Sequence, residues 1–179
     1  AAEPALLGPA ASRAVHGRAI FPLLVKLIDA SENLSIQVHP NDVQAATLDK
    51  LGKTEAWYVL AAEPHAGLYV GLREDVTLEA FRQAAARLDG SSAALMRRVP
   101  AEIGRTIMLP ANTIHALGAG VMVYEIQQPS DVTYRLDDWG RVDAEGKPRE
   151  MHLDAGFVAA DAASRPVWLE PVPLDGAEG

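Results

Sequence analysis

The chain has no cysteine, which removes disulfides, thiolate nucleophiles and Cys-ligated zinc or iron–sulfur centres from consideration. Any metal must then be held by imidazole, carboxylate or amide groups. It also lacks the run of about 18 apolar residues that a membrane-spanning helix requires, and Ala1 to Leu7 shows neither the basic region nor the apolar stretch of a signal peptide. A soluble, cytoplasmic protein with no membrane partner is the expectation. Position 1 is alanine rather than methionine, as in a piece of a longer protein. A basic excess is missing too: 16 Lys and Arg against 24 Asp and Glu give a net charge of −8. That balance excludes a nucleic-acid footprint. It leaves room for a small phosphorylated ligand, which needs only one or two well-placed cations.

What is present fits one globular unit over residues 1–179, with 49% hydrophobic residues to build a core. Ala1 to Gly17 is rich in Ala, Pro and Gly and reads as an irregular lead-in with at most one helical turn. Strands are expected over Phe21–Asp29, Leu34–Val38, Glu55–Leu60, Gly67–Gly71, Thr106–Leu109, Gly120–Gln127 and Val132–Leu136. Asp42 is placed to cap a short helix through Lys50. Leu78, Phe81, Ala85 and Leu88 fall at helical spacing after the N-cap candidate Thr77, and a second short helix is expected over Ser92–Arg98. The pattern is mainly β with a helical insertion at about 75–98. A C-terminal extension at about 143–179 holds an amphipathic segment, Met151–Asp161, and a proline-flanked edge strand within Arg165–Pro173.

In Leu34-Ser35-Ile36-Gln37-Val38-His39-Pro40 the two-residue period of a strand turns Ser35, Gln37 and His39 to one face and Leu34, Ile36 and Val38 to the other. Imidazole beside oxygen donors suits a divalent metal, so a metal-bearing β-barrel is the first expectation. Downstream, Gly104-x5-Pro110-Ala111-Asn112-Thr113-Ile114-His115 reads as a strand ending in a tight turn. Pro110 fixes φ there, Asn112 tolerates a left-handed conformation, and His115 is delivered onto the next strand. This stretch resembles the second motif of the cupins, small jelly-roll β-barrels with a central metal. Asn112 replaces their usual Gly, and Ala119 stands where they carry Asn.

Taken in order, Leu34 to Asp42, Gly52-Lys53-Thr54-Glu55-Ala56-Trp57-Tyr58, Ala111 to His115, Glu125 to Gln128, Ser130 to Arg135 and Asp138 to Arg141 resemble the type I mannose-6-phosphate isomerases from Phe21 to about Asp154. The resemblance implies a single cupin barrel and one zinc ion held by Gln37, His39, Glu55 and His115. It implies interconversion of mannose 6-phosphate and fructose 6-phosphate. Many members carry a longer N-terminal region and a second barrel-like or helical domain, for which this chain has little room. As a set the donors are reasonable, because Glu55 alone offsets the ion's charge and leaves it strongly electrophilic.

Aldose–ketose isomerisation through an enediol needs a base, an acid and a group that stabilises oxyanion character. Lys53 lies two residues before Glu55 on the same strand face, and a lysine beside a cation can exchange protons near neutrality. Glu125, an acid in the apolar run Val121-Met122-Val123-Tyr124, matches the family's active-site glutamate. Either can be the base. Arg135 matches the catalytic arginine, and an ion pair between Glu125 and Arg135 is the structural alternative. Ser35 and Arg141 are the candidates for the phosphate. His16, His65 and His152 are expected at the surface, and Trp57, Tyr58 and Trp139 in barrel and rim packing. Two rivals stand beside the isomerase: a metal-dependent cupin oxygenase, against which Gln37 replaces one of three histidines, and a non-catalytic sugar-binding or regulatory cupin. A lone barrel also has sheet edges through which a homodimer could form.

Overall fold

Along Val121–Gln127 the residues Val121, Val123, Glu125 and Gln127 are buried while Tyr124 and Ile126 face outward, the alternation that a pleated strand imposes. The computed structural model describes residues 8, 9, 11–13, 15 and 20–171, so most of the lead-in, and His16 with it, lies outside the described residues. The strands are β1 (Leu24–Ala30), β2 (Ile36–Val38), β3 (Glu55–Ala62), β4 (Gly67–Leu72), β5 (Met96–Pro100), β6 (Thr106–Leu109), β7 (His115–Leu117), β8 (Val121–Gln127), β9 (Tyr134–Asp137) and β10 (Val167–Leu169). They pair antiparallel in two five-stranded sheets, ordered β1-β8-β3-β6-β10 and β5-β4-β7-β2-β9. This mainly β architecture is that of the cupin jelly roll.

Among residues 20–171 lie three α-helices: α1 (Asp42–Ala46), α2 (Leu78–Ala85) and α3 (Leu153–Ala159). Thr77 caps α2 as expected, accepting from Ala80 N at 3.1 Å. In α1 the cap is Asn41 rather than Asp42, because Asn41 and Gln44 exchange side-chain and backbone hydrogen bonds in a capping box. The helix expected over Ser92–Arg98 is a 3-10 helix over Ser91–Leu95, after which the chain enters β5. Pairing of β5 with β4 overrides the helical propensity of Met96 and the arginines after it.

Apolar side chains gather in two places. Ala30, Trp57, Val59, Leu68, Val70, Ile107, Leu109, Leu117, Val121 and Val123 fill the space between the sheets. Ile36, Val38, Ala116 and Leu136, on strands of the second sheet, and Ile114 just before β7 pack against Phe81 of α2 and Phe157 of α3. Leu34 joins the first cluster and not the second, so it does not share the face of Ile36 and Val38 as simple alternation implies. A register shift between Ile36 and Gln37 accompanies this. The outer face of the first sheet stays apolar and open, with Val25, Leu27, Tyr58, Leu60, Tyr124 and Ile126 all exposed.

Candidate functional site

The register of the first sheet aligns two rows of side chains, buried on β8, β3 and β6 and partly exposed on β1. Leu24, Gln127, Glu55 and Leu109 stand opposite one another across β1, β8, β3 and β6. Two residues along, Lys26, Glu125, Trp57 and Ile107 form the next row. From the second sheet, Gln37 of β2 stands between His115 of β7 and Arg135 of β9. Asn112 adopts the expected left-handed φ of +72° in the turn that delivers His115. His39 follows β2 directly.

His39, Glu55 and His115 are all buried, and one donor atom from each lies within 4.8 Å of the others. Glu55 Oε1 is 3.2 Å from His115 Nε2, and Oε2 is 3.6 Å from His39 Nε2. Each imidazole is oriented from behind: His39 Nδ1 donates to Val132 O at 2.9 Å and His115 Nδ1 to Thr113 O at 2.8 Å. Those bonds fix the proton on Nδ1 and leave the Nε2 lone pairs converging on the carboxylate, the arrangement found behind metal-bound histidines. His39 Nε2 and both oxygens of Glu55 are buried and make no well-formed hydrogen bond, Oε2 having only the Lys53 ammonium beside it. Such atoms are costly to leave unsatisfied, and a divalent ion would satisfy all three. The Gln37 side-chain nitrogen lies 3.3 Å from His115 Nε2 and its oxygen faces Ser35 Oγ, so a half-turn of the amide would offer that oxygen as a fourth ligand.

Burial alone would raise the Glu55 carboxyl, but the neighbouring His115, then His39 and Lys53, outweigh it and hold Glu55 below the ordinary carboxylate range. Lys53 Nζ is 3.0 Å from Glu55 Oε2, and both side chains are buried. Burial, reinforced by His115 and Lys53, lowers His39 well below its ordinary value despite the opposing pull of Glu55. Both folded values lie below their unfolded ones, so between them the unfolded chain binds more protons. Stability therefore falls on acidification, below about pH 6.5 for His39 and below about pH 4.5 for Glu55. Urea midpoints of the metal-free protein should drop between pH 7.5 and 5, with a limit of about 1.4 kcal/mol per pH unit for each titrating group. A flat profile would contradict the neutral, buried assignment of His39.

Beside the three donors is a cavity of about 210 Å³ lined by Lys26, Gln37, Lys53, Trp57, Glu125 and Thr133, among others. Glu125 is buried within it, but its partner is not Arg135. Lys26 Nζ donates to Glu125 Oε1 at 2.9 Å, and Trp57 Nε1 donates to Oε2 at 2.9 Å. Lys26 also donates to Gln127 Oε1, whose amide is held by Gln128 O and Ser130 O. Trp57 is thus a polar participant as well as packing. Lys26 escaped the motif reading because it is one cation inside Leu-Val-Lys-Leu-Ile. Its only signal was the inward phase it shares with Ile28 and Ala30.

Arg135 donates from Nη1 to Glu150 O at 2.7 Å, while its Nε is buried and unpartnered. Burial, with Arg149 and Arg141 alongside, lowers it below its ordinary value, though a guanidinium stays charged at any working pH. Arg141 is half-buried rather than solvated: it pairs with Asp138 at 2.5 Å and donates to Asn33 O at 2.8 Å. Ser35 is buried, its Oγ 3.5 Å from Gln37 Oε1. The structure thus brings His39, Glu55 and His115 together with Gln37 and Lys53 against them, lines the adjoining cavity with Gln37, Lys53 and Glu125, and places Arg135 and Arg141 in a separate charged group around Asp138. His65 is exposed as expected, whereas His152 is half-buried and accepts from Arg135 N at 3.2 Å. Tyr58 lies on the exposed outer face, and Trp139 packs against Tyr69 while donating to Leu34 O. A larger groove of about 390 Å³, lined by Pro40, Leu48, Tyr134 and Val158, offers no comparable set of donors. No helix among the described residues is long and apolar enough to cross a membrane.

Residues 5–83 match the family profile described as phosphomannose isomerase type I, catalytic domain. The chain is 38% identical over 155 residues to the mannose-6-phosphate isomerase of Streptococcus mutans, covering 84% of this chain and 48% of that protein. It is 42% identical over 152 residues to the mannose-6-phosphate isomerase ManA of Bacillus subtilis, covering 82% and 46%. The crystal structure of a Bacillus subtilis mannose 6-phosphate isomerase superposes with a TM-score of 0.75 at 34% identity, over 89% of this chain and 51% of that one. The chain spans about half the length of the curated relatives it matches.

Proposed function

We propose, because the chain belongs to the type I phosphomannose isomerase family, that it is a zinc-dependent isomerase interconverting mannose 6-phosphate and fructose 6-phosphate. The observation that carries the reading is the buried set of His39, Glu55 and His115, whose donor atoms converge on one point, with Gln37 and Lys53 linking them to a cavity that Glu125 also lines. Two imidazoles, a carboxylate and the Gln37 amide make a donor set suited to zinc, with no thiolate needed. Bound there, the ion would polarise the sugar's carbonyl and hydroxyl oxygens.

The reaction removes a proton from C2 of the open-chain aldose and returns one to C1, while O1 gains a proton and O2 loses one. Glu125 and Lys53 flank the cavity and are the groups able to move those protons. Lys26 holds the Glu125 carboxylate from the cavity side. Arg135, in backbone register beside Gln37 with its side chain in the charged group around Asp138, is the cation this reading assigns to the developing enediolate. Ser35 and Arg141 are the phosphate contacts in this reading, Arg141 being held in place by Asp138. Orienting the far end of the sugar phosphate aligns its carbonyl end with the metal.

The zinc-loaded chain should form fructose 6-phosphate from mannose 6-phosphate in a coupled assay, and metal analysis should find one zinc per chain. No turnover by a fully loaded chain would overturn the isomerase reading in favour of a sugar-binding cupin, and iron with oxygen consumption would point to the oxygenase. Arg135→Ala should lower turnover by about 100-fold or more while zinc content stays unchanged. Undiminished turnover in that variant would remove Arg135 from the mechanism.

A further inference from the structure

We infer that Trp57 is a positioning residue for the reaction, its indole N–H fixing Glu125 Oε2 so that Oε1, shared with Lys26, is the oxygen that exchanges a proton with the sugar. This inference rests on the isomerase reading. It starts from register, since Glu125 stands directly opposite Lys26 on one neighbouring strand and directly opposite Trp57 on the other. All three side chains face inward on the same row, so each carboxylate oxygen meets a different donor, both at 2.9 Å.

The two donors are not equivalent. Trp57 is 2% exposed and its indole N–H has no water to turn to, so the bond to Oε2 is permanent in the folded chain. Lys26 has a side chain 40% exposed and a second acceptor in Gln127 Oε1. It can leave Oε1 and be replaced there by a substrate hydroxyl or carbon-bound proton. A carboxylate pivoting freely about its last torsion would present either oxygen; one oxygen anchored by a buried donor presents the other in a single orientation. Effective catalysis by a positioned group depends on such restraint.

The same indole stacks edge-on against His115, with ring centroids 5.6 Å apart. Trp57 therefore touches both the metal-binding set and the proton-transfer carboxylate, and the experiment must separate its ring from its N–H. Two forms of the full zinc-loaded chain do so: Trp57→Phe, and a chain in which residue 57 is β-(3-benzothienyl)alanine, placed by stop-codon suppression. The second keeps the bicyclic shape but carries sulfur where the indole has N–H. Trp168→Phe serves as a control, since Trp168 packs against Arg105 away from the cavity.

Both forms at position 57 should lose about 10- to 100-fold in kcat with KM within about twofold and zinc content unchanged, as for loss of one hydrogen bond to a charged group. The control should retain full kcat. If the benzothienyl form turns over within about twofold of the unvaried chain, the ring's shape is what matters and the inference is wrong. Loss of zinc from the benzothienyl form would also overturn it, by assigning Trp57 to the support of His115. An unvaried zinc-loaded chain that does not isomerise mannose 6-phosphate defeats the isomerase reading itself, and the inference with it.

Discussion

Glu55→Gln should leave the protein nearly empty of metal, with affinity for zinc lowered by about 100-fold or more. Glu55 is the one anion among the candidate donors, and its two oxygens are the atoms that His39 and His115 face. A glutamine has the same shape but one of its two ends donates hydrogen bonds and cannot coordinate. The change also strips Lys53 of the carboxylate 3.0 Å away, in a place where that lysine is buried. Removing one partner of a buried ion pair costs about 3–5 kcal/mol because the other charge stays behind. The metal-free variant should therefore unfold at lower urea than the metal-free parent. Zinc content by mass spectrometry and urea unfolding read the two effects separately. A Glu55→Gln protein binding zinc as tightly as its parent would take Glu55 out of the ligand set.

The second large effect lies away from the site. Phe81→Ala should destabilise the fold by about 3–5 kcal/mol, a large share of the roughly 5–15 kcal/mol that a domain commonly has. Phe81 is fully buried and its ring lies 6.1 Å from that of Phe157, which joins α2 to α3 beneath the second sheet. Its neighbours Ile36, Val38, Ile114 and Leu136 flank Gln37, His39, His115 and Arg135 in sequence. The cavity left by the ring loosens the backing of the strands that aim those donors. Thermal unfolding should show the loss directly, and zinc should recover part of it by binding only the folded form. A midpoint within a degree or two of the parent would mean that the helices contribute little to the second sheet.

How much of this could be read from the chain alone depends on whether the information is local. His39, Glu55 and His115, which the fold gathers, were legible because each sits in a short motif whose spacing survives in the sequence, and Asn112 announced the left-handed turn before His115. The partners of Glu125 were not legible. Which side chains meet it depends on the registers of β1 and β3 against β8, set by hydrogen bonds between residues 68 and 99 positions apart. Lys26 and Trp57 consequently read as an ordinary strand lysine and a packing indole. Local propensity also misled at Met96–Arg98, where pairing with β4 makes a strand of the end of an expected helix. His152 carries no local sign that its Nδ1 accepts from Arg135 N, seventeen residues away.

The open apolar face of the first sheet gives the Lys26, Glu125 and Trp57 row a second task. In most half-buried strands a slip of one residue is forbidden because it drives polar groups inward and apolar groups into water. Sliding β8 by one would instead carry Tyr124 and Ile126 inside, and oil would simply replace oil. Hydrophobicity alone is a poor guard against mis-threading of this strand. What penalises the slipped alignment is a lysine and an indole N–H left facing inward without the Glu125 carboxylate, so the groups proposed for the chemistry also hold the strand to its place.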